Sequence, residues 1–287
     1  MQVILSIGVD ALAYGMVLFV ISIGLSVTMG LMKVVNLAHG AFAMIGGYVA
    51  SHATQAMGLH FGLAVIMAVL ATVLIALPVE RFLYRRIYGA SELPQVLMTI
   101  GITFIIIGVA NYLMGPSLKT IALPDALRAR VDLGFRTIPA HRLFVIACGL
   151  AVALALWLLV ERTRFGVHLR ATVDDDAMAG ALGVRITRVY ALGFALATGL
   201  SALGGVIGAQ MLPIEPYYAL RYMVTFLVVV SVGGAGSITG ALLASLILGM
   251  VETTGRYLLP EYGETFFYLA VIVIVCLFPK GLMGRAK

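Results

Sequence analysis

Charged residues are scarce along this chain. Only 11% of its 287 residues are Asp, Glu, Lys or Arg, whereas 62% are hydrophobic. A soluble domain averages about 25% charged and about 45–50% apolar residues. The shortage of charge excludes an ordinary soluble protein and predicts an integral membrane protein. The formal net charge of +6 therefore does not indicate nucleic acid binding, because in a membrane protein the location of positive residues matters more than their sum.

Cysteine is almost absent as well. The two cysteines, Cys148 and Cys276, lie far apart in sequence and inside apolar runs. Neither a disulfide framework nor a metal-ligand spacing can be built from them. We therefore expect no metal site, and we expect both cysteines to be buried as small hydrophobic residues.

Sequence motifs for catalysis are missing too. No GxxxxGK[ST] phosphate loop, HExxH, GxSxG or CxxC occurs, so the chain is predicted to have no catalytic residues and cannot bind ATP in the Walker manner. Carboxylates deep in apolar segments, which mark ion-coupled transporters, are nearly absent. Glu80 and Glu161 end apolar segments, and Glu252 has Arg256 four residues later, the spacing of a helical ion pair. Any active transport needs an energy source outside this chain.

What the sequence does contain is long apolar segments. A straight crossing needs about 20 apolar residues. Nine apolar segments occur; the first, fourth, fifth, sixth and eighth are predicted to be full spans, and the second, seventh and ninth, which are short or rich in glycine, are predicted to be partial or broken spans. The segments are 8–31, 36–54, 61–79, 95–114, 142–160, 189–212, 222–235, 238–256 and 266–278. The predicted fold is an all-α polytopic membrane protein of about eight or nine helices, forming a single domain over residues 1–287.

The positive residues predict an orientation. With the N-terminus outside, the predicted cytoplasmic loops carry most of the 19 Lys and Arg residues, as the positive-inside rule requires. The C-terminal PKGLMGRAK is then cytoplasmic. The outer loop at residues 116–141 is itself basic. Alternation at Val131, Asp132 and Leu133, followed by Gly134, predicts a small extended turn there, which serves either as a docking surface for a soluble partner or as an ordinary connection.

The stretch KVVNLAHGAFAMIGGYVAS at residues 33–51 places polar residues between apolar segments. Asn36 and His39 are predicted at the start of a broken or re-entrant helix. Buried polar groups are costly without partners, and irregular backbone at membrane depth occurs only where it is packed in protein or lines a cavity. Gly40, Gly46 and Gly47 permit close helix approach. We expect these residues to line or gate a substrate path; tight helix packing alone is the alternative for the glycines.

Two further small-residue segments share this character. SVGGAGSITGALLAS at residues 231–245 contains Gly233, Gly234, Gly236 and Ser237, and GLSALGGVIGAQ at residues 199–210 contains glycines at GxxxG spacing. Three such segments predict a path through the middle of the bundle. Helix packing alone is again the alternative.

The cytoplasmic loop at residues 162–188 carries a different signal. Three consecutive aspartates favour a helix start, and Gly183 suits a helix C-terminus. A short helix over residues 174–183 with an exposed apolar face would dock into a groove of another protein; a solvated loop helix is the alternative. A metal site is disfavoured because consecutive carboxylates on a helix point in different directions. The residues assigned to docking are Asp174, Asp175, Asp176, Ala177, Met178, Ala181, Leu182 and Gly183.

Four stretches together resemble one known family. GLMKVVNLAHGAFAMIGGYVA is similar to the N-x-A-H-G segment of LivH-type permeases, the membrane subunits of branched-chain amino acid ABC importers. The cytoplasmic stretch ERTRFGVHLRATVDDDAMAGALGVRITRV, the glycine-rich VVVSVGGAGSITGALLASLILGMVE and the terminal LFPKGLMGR resemble the matching parts of that family in the same order. Ala41 departs from the pattern, because family members often carry an acidic residue directly after H-G.

The resemblance implies a permease of an ABC importer in a bacterial inner membrane. The chain would form half of the path, for branched-chain or other hydrophobic amino acids, or for urea, amides or small aromatic or organic acids. Its partners would be two cytoplasmic ATPase subunits, an extracytoplasmic binding protein and a second permease, either a paralogue or another copy. ATP and Mg²⁺ would bind the ATPase subunits, with no cofactor on this chain, and the docking helix would be the coupling helix. A stand-alone secondary transporter or channel is the rival class.

Overall fold

The computed structural model describes residues 2–132, 137–279 and 281–283. These residues form twelve α-helices and one two-stranded antiparallel hairpin. The helices are α1 Gln2–Met32, α2 His39–Gln55, α3 Phe61–Phe82, α4 Glu92–Met114, α5 Asp125–Arg128, α6 Ala140–Arg162, α7 Arg164–Asp174, α8 Asp176–Ala181, α9 Ile186–Ile207, α10 Tyr218–Gly233, α11 Ile238–Leu258 and α12 Gly263–Leu277. The strands are β1 Arg130–Asp132 and β2 Thr137–Pro139, and 3₁₀ turns occupy Tyr84–Arg86 and Pro260–Tyr262.

The helices confirm the predicted membrane segments. Seven helical stretches of the described chain are long and apolar enough to span a bilayer: Ile4–Gly30, Phe61–Arg86, Glu92–Met114, Ala140–Arg162, Ile186–Ile207, Ile238–Leu258 and Pro260–Leu277. The two remaining predicted segments correspond to α2, with 17 residues, and α10, with 16. Both are short, as expected. The last segment was expected to be partial, and this was wrong, because the turn Pro260–Tyr262 extends α12 to an 18-residue stretch.

Helix α1 lies at the centre of the bundle, between α9 and α11. Glycines set both contacts: Gly24 meets the Ala197 carbonyl of α9, while Gly15 meets the backbone of Ser245 on α11. Since Gly15 and Gly24 are nine residues apart, they lie on opposite faces of a helix with 3.6 residues per turn. The apolar residues from Met16 to Ile23 of α1 are almost completely buried. The core of the protein is therefore a buried helix enclosed by small-residue contacts.

The outer helices present apolar side chains instead. Leu97, Phe104 and Ile105 of α4 are more than half exposed, and α12 buries little of its surface. In a bilayer such faces meet lipid or another helix. The expectation that both cysteines are buried was wrong for Cys276, which is exposed on α12; Cys148 is partly buried.

The outer loop is tied to the bundle. Its hairpin pairs Arg130 with Pro139 and Asp132 with Thr137, which confirms the predicted extended turn; Leu133 and Gly134 lie outside the described residues. Before the hairpin, the Thr120 carbonyl accepts a hydrogen bond from Ser51 Oγ at 2.8 Å, near the end of α2. The Lys119 N–H donates to the Ile214 carbonyl at 2.9 Å. The loop thus connects the end of α2 to the segment that leads into α10.

Candidate functional site

The break between α1 and α2 is where the sequence predicted it. Helix α1 ends at Met32, and Lys33 takes a positive φ of 52°. Asn36 then holds the turn: its Oδ1 accepts from the Ala38 N–H at 3.1 Å and from the Tyr84 hydroxyl at 2.7 Å. Helix α2 begins at His39. The chain re-enters the bundle as irregular backbone, which at this depth requires protein partners for its polar groups.

His39 attaches the first turn of α2 to the middle of α1. Its Nε2 lies 2.8 Å from the Ile21 carbonyl, so Nε2 carries the proton and donates. The His39 carbonyl accepts a hydrogen bond from Ser201 Oγ of α9 at 2.9 Å. The imidazole edge packs directly on Gly24, where any side chain would overlap both the ring and the Ala197 carbonyl. One residue thus joins α1, α2 and α9.

Helix α4 satisfies part of the irregular backbone. Thr99 Oγ1 lies 3.4 Å from the Val35 carbonyl and Thr103 Oγ1 lies 3.5 Å from the Leu37 carbonyl. Both hydroxyls also bond to α4 carbonyls one turn earlier. Helix α4, which is otherwise largely apolar, therefore places two hydroxyl groups beside the backbone carbonyls that lie between α1 and α2 and belong to neither helix.

The polar groups at the break are closed off in this conformation. Asn36 and His39 are each 1% exposed. Among the described residues, Asn36 Nδ2, His39 Nδ1 and Ser22 Oγ have no hydrogen-bond partner. A buried polar atom without a partner costs about 1–3 kcal/mol. The break therefore retains hydrogen-bonding capacity that the packed conformation does not use.

The glycines of α2 serve close packing here. Gly40 lies against the backbone of Ala219 at the start of α10, Gly46 against Ala202 of α9, and Gly47 against Ile214. The GxxxG glycines of α9 behave in the same way, because Gly204 packs on Ile21 of α1. These contacts are the ones expected from tight helix packing, which was the alternative interpretation of the glycines.

The second irregular segment joins α10 to α11. Gly234 and Gly236 have φ of +95° and +81°, values that side chains with a Cβ rarely adopt. Ser237 begins α11 by accepting a hydrogen bond from the Gly240 N–H at 3.0 Å. The Gly236 N–H donates to Ser26 Oγ of α1 at 3.0 Å. Gly233 is buried against Gly240, so the two helices meet at their backbones.

A cleft of about 440 Å³ opens beside this turn. Gly236 and Ser237 line one side, while Trp157 of α6 and Arg170 and Asp174 of α7 line the other. The structure therefore brings together two groups of residues that the sequence assigned to different roles. Asn36 and His39 do not line this cleft; His39 contacts Ser201 of α9 and Asn36 contacts Tyr84 instead.

The loop at residues 162–188 differs from its predicted form. A single helix over residues 174–183 was expected, and this was wrong: Asp174 ends the eleven-residue α7, and α8 has only six residues. Asp175 separates the two helices because its Oδ1 accepts the Met178 N–H at 2.9 Å as an N-cap. Gly183 takes a φ of +90° after α8, which confirms its predicted place at the helix end.

The apolar face of α8 is exposed as predicted. Met178 is 59% exposed and Leu182 80%. Ala177 and Ala181 are exposed too, whereas Ala179 on the opposite side is buried. Hydrophobic side chains outside the bilayer that remain uncovered by their own chain indicate an interaction surface.

Buried carboxylates are paired with arginines near helix ends. Glu80 lies 3.1 Å from Arg85 Nε and also accepts from the Tyr88 hydroxyl at 2.7 Å. Glu252 accepts from Arg256 at 2.5 Å, as its i,i+4 spacing predicted. Asp10, which the sequence did not single out, is buried. It pairs with Arg142 of α6 and Tyr257 of α11, so its interactions join three helices. Within the described ranges no cluster of His, Cys, Asp or Glu could hold a metal ion.

Seven described stretches that are long and apolar enough to cross a bilayer, together with the irregular backbone between α1 and α2, are the features of a multi-pass membrane protein. The chain belongs to the family described as the permease component of branched-chain amino acid transport systems, whose model matches residues 8–276. This confirms the family resemblance and the fold class predicted from the sequence.

Individual relatives agree over nearly the whole length. The chain is 28% identical to the high-affinity branched-chain amino acid transport permease LivH of Escherichia coli K12, with 93% of this chain and 91% of that protein covered. It is 27% identical to the corresponding permease BraD of Pseudomonas aeruginosa, covering 97% and 95%. Among solved structures, PsaBC from Streptococcus pneumoniae in complex with Fab matches with a TM-score of 0.50 at 16% identity, covering 93% of this chain and 89% of that chain. The last likeness concerns the fold.

Proposed function

We propose that this chain is the permease subunit of an ATP-binding-cassette importer and forms half of the translocation path for branched-chain or other hydrophobic amino acids. The family match over residues 8–276 carries this conclusion. The buried acidic residues support it further, because each is held by an arginine rather than aligned as an ion relay. A secondary transporter would need such a relay.

The partners follow from the same proposal. Two cytoplasmic ATPase subunits bind ATP and Mg²⁺, an extracytoplasmic protein delivers the solute, and a second permease, a paralogue or another copy, completes the path. This chain itself needs no cofactor. The exposed Met178 and Leu182 of α8 form the surface that seats in an ATPase groove, and residues 164–183 transmit its movement to α9 and α6.

The docking role is tested by replacing Met178 and Leu182 with Asp. Both side chains are exposed, so the bundle should fold and insert normally. Each apolar side chain contributes about 1.5–3 kcal/mol when fully buried, and a charge in the groove adds a desolvation cost. We expect the double variant to lose ATPase subunits, or solute-stimulated ATP hydrolysis, in a pull-down from detergent. Leu118→Asp, which makes the same kind of change at an exposed position outside the segment 164–183, is the control. Full ATPase binding by the double variant would assign coupling elsewhere.

The proposed orientation places the N-terminus outside and the C-terminus in the cytoplasm of a bacterial inner membrane. It rests on the excess of Lys and Arg in the predicted cytoplasmic loops. A cysteine at Ser117, exposed in the outer loop, should react with an impermeant reagent only from outside. One at Lys287, which lies outside the described residues, should react only from the cytoplasm. Labelling of both from one side would contradict the orientation.

The proposed path residues are those of the two irregular segments. Asn36, His39, Gly40, Gly46 and Gly47 act at the α1–α2 break. In this conformation these residues are buried, so they support a gate and do not line an open path. Gly233, Gly234, Gly236 and Ser237 act beside the cleft on the cytoplasmic side, where two of them already line open space.

A further inference from the structure

A second cavity, of about 170 Å³, lies at the far end of α11 from the cytoplasmic cleft. Helices α1, α10, α11 and α12 surround it. Its inner wall is aromatic: Tyr14 and Phe267 are 8% and 2% exposed, and Tyr222 and Tyr268 stand at its sides. The cavity is smaller than the roughly 300–1,000 Å³ of pockets for drug-sized molecules. Its size suits a small solute.

The charged side chains around this cavity are balanced. Arg221 and Arg256 supply two positive charges, and Glu252 and Glu264 two negative ones. Arg221 is paired with Glu215 at 2.9 Å, so Arg256, Glu252 and Glu264 are the charged groups that a ligand would meet. Glu252 is 4% exposed and belongs to the built interior of the site, bonded to Arg256 at 2.5 Å and to Tyr14. A ligand with a single charge would be attracted by one kind of these groups and repelled by the other. A ligand with both charges can satisfy an arginine and a glutamate together.

Arg256 has hydrogen-bonding capacity left for such a ligand. A guanidinium group has five N–H donors in a planar fork, and Arg256 spends one hydrogen bond on Glu252 among the described residues. Its distance to Glu264 is 3.9 Å, an ion pair too long for a hydrogen bond. Arg256 also lies over the Tyr14 ring, 5.9 Å from its centroid. The Tyr14 ring thus helps to hold the Arg256 guanidinium group, which lines the cavity.

We propose that this cavity is a binding site for a free α-amino acid. The carboxylate contacts Arg256, the ammonium group contacts Glu252 and Glu264, and the apolar side chain packs on Phe267 and Tyr268. The site deepens the proposed function, on which it rests for the delivery of the solute at this end of the bundle. Its location within one permease chain is independent of how the second permease is arranged.

The test uses the purified full-length permease in complex with its partner subunits. A cysteine replaces Thr225, which lines the cavity, in a background with Cys148 and Cys276 changed to Ala. L-leucine is the probe, and we expect it to slow maleimide labelling at position 225 several-fold, as roughly expected for a site that is mostly occupied. N-acetyl-L-leucine and L-leucinamide each lack one charge and should not protect. A cysteine at Ser117, in the outer loop, should label equally with and without L-leucine.

Substitution of the charged group sharpens the test. Arg256→Gln should raise the half-protecting concentration of L-leucine by about tenfold or more, the effect of losing a charge-assisted hydrogen bond. Arg256→Lys, which keeps the charge, should raise it less. If Arg256→Gln fails to assemble, Tyr268→Ala, at a 43% exposed position, tests the apolar wall instead.

The outcomes separate this site from the proposed function. A complex that imports L-leucine but shows no protection at position 225 overturns the site and leaves the proposed function standing. Protection in a complex that imports no amino acid retains the site and overturns the proposed function. Equal protection by the two blocked compounds overturns the zwitterionic class of ligand.

Discussion

The two irregular segments of this permease are stabilised in opposite ways. The α1–α2 break is held by side chains, with Asn36 and His39 bonded to Tyr84 and to the Ile21 carbonyl in the interior. The α10–α11 turn depends more on backbone conformation, with Gly234 and Gly236 at positive φ, and the Ser26 hydroxyl supports it by accepting a hydrogen bond from the Gly236 N–H. The first is almost inaccessible, whereas Gly236 is exposed and lines the cleft of about 440 Å³.

This difference separates what each segment can do. A break whose partners come from α1, α4, α9 and the turn Tyr84–Arg86 can change shape only when those elements move relative to one another. A glycine turn at an open surface can adjust locally, because glycine reaches many backbone conformations at low cost. The shape of the first segment therefore depends on the arrangement of the whole bundle, and the shape of the second depends on its surroundings at the cleft.

The largest effect should come from filling the contact that supports the first break. Gly24→Val would press a β-branched side chain on the Ala197 carbonyl and the His39 ring. Overpacking typically costs about 1–3 kcal/mol, and a backbone obstacle cannot rotate away. We expect little monodisperse permease in size-exclusion chromatography.

Gly8→Val is the matched control for that variant. It makes the same substitution in the same helix, at a position where a Cβ would meet nothing within 4 Å. Normal yield of both variants would mean that α1 and α9 can separate at Gly24 without loss of the fold.

An intermediate effect is expected for His39→Leu. The change removes the bond to the Ile21 carbonyl, a neutral hydrogen bond with a net contribution of about 0.5–1.5 kcal/mol, so the complex should still assemble. A shift of about 1 kcal/mol between conformations changes their ratio about fivefold. Solute uptake by reconstituted vesicles should fall by a similar factor.

The control for this variant is His52→Leu, an exposed histidine on the same helix, which should transport normally. Wild-type uptake by His39→Leu at equal expression would show that the α1–α2 attachment does not limit transport.

The smallest effect should follow a change at the second segment. Gly236→Ala adds a Cβ at a φ of +81°, a strain of about 1–2 kcal/mol. For a protein of this size about 1 kcal/mol lowers Tm by roughly 2–4 °C, measurable by scanning fluorimetry. Gly89→Ala, at an exposed position with open space around it, should leave Tm unchanged. Equal shifts for both would remove backbone strain as the explanation.

Much of the fold could be predicted because apolar length is a local property. Each predicted segment became one helix, including the short α2 and α10. Helix α7 was not predicted, because its sequence RFGVHLRATVD is too polar for a membrane segment and its helical signal ends at the Asp175 cap. An apolar run of about 20 residues can be recognised in a sequence as a membrane segment, whereas an amphipathic surface helix of eleven residues has no such signal.

The partners of the candidate site were less accessible to sequence reasoning. Asn36 and His39 were identified as polar residues at a break, but Tyr84 lies 48 residues from Asn36 and Ser201 lies 162 residues from His39. Nothing in the spacing of these residues indicates that they meet. The exposed apolar surface at α8 was easier, because Met178 on α8 and Leu182, directly after it, are only four residues apart.

The contact between His39 and Ser201 also sets an order in time. A ribosome adding about 5–20 residues per second needs roughly 8–32 s to make the 162 residues that separate them. During that interval the first turn of α2 has its α1 contact without its α9 contact. The early helices must remain inserted but incompletely packed until α9 is made, and the contact of α1 with α11 forms later still.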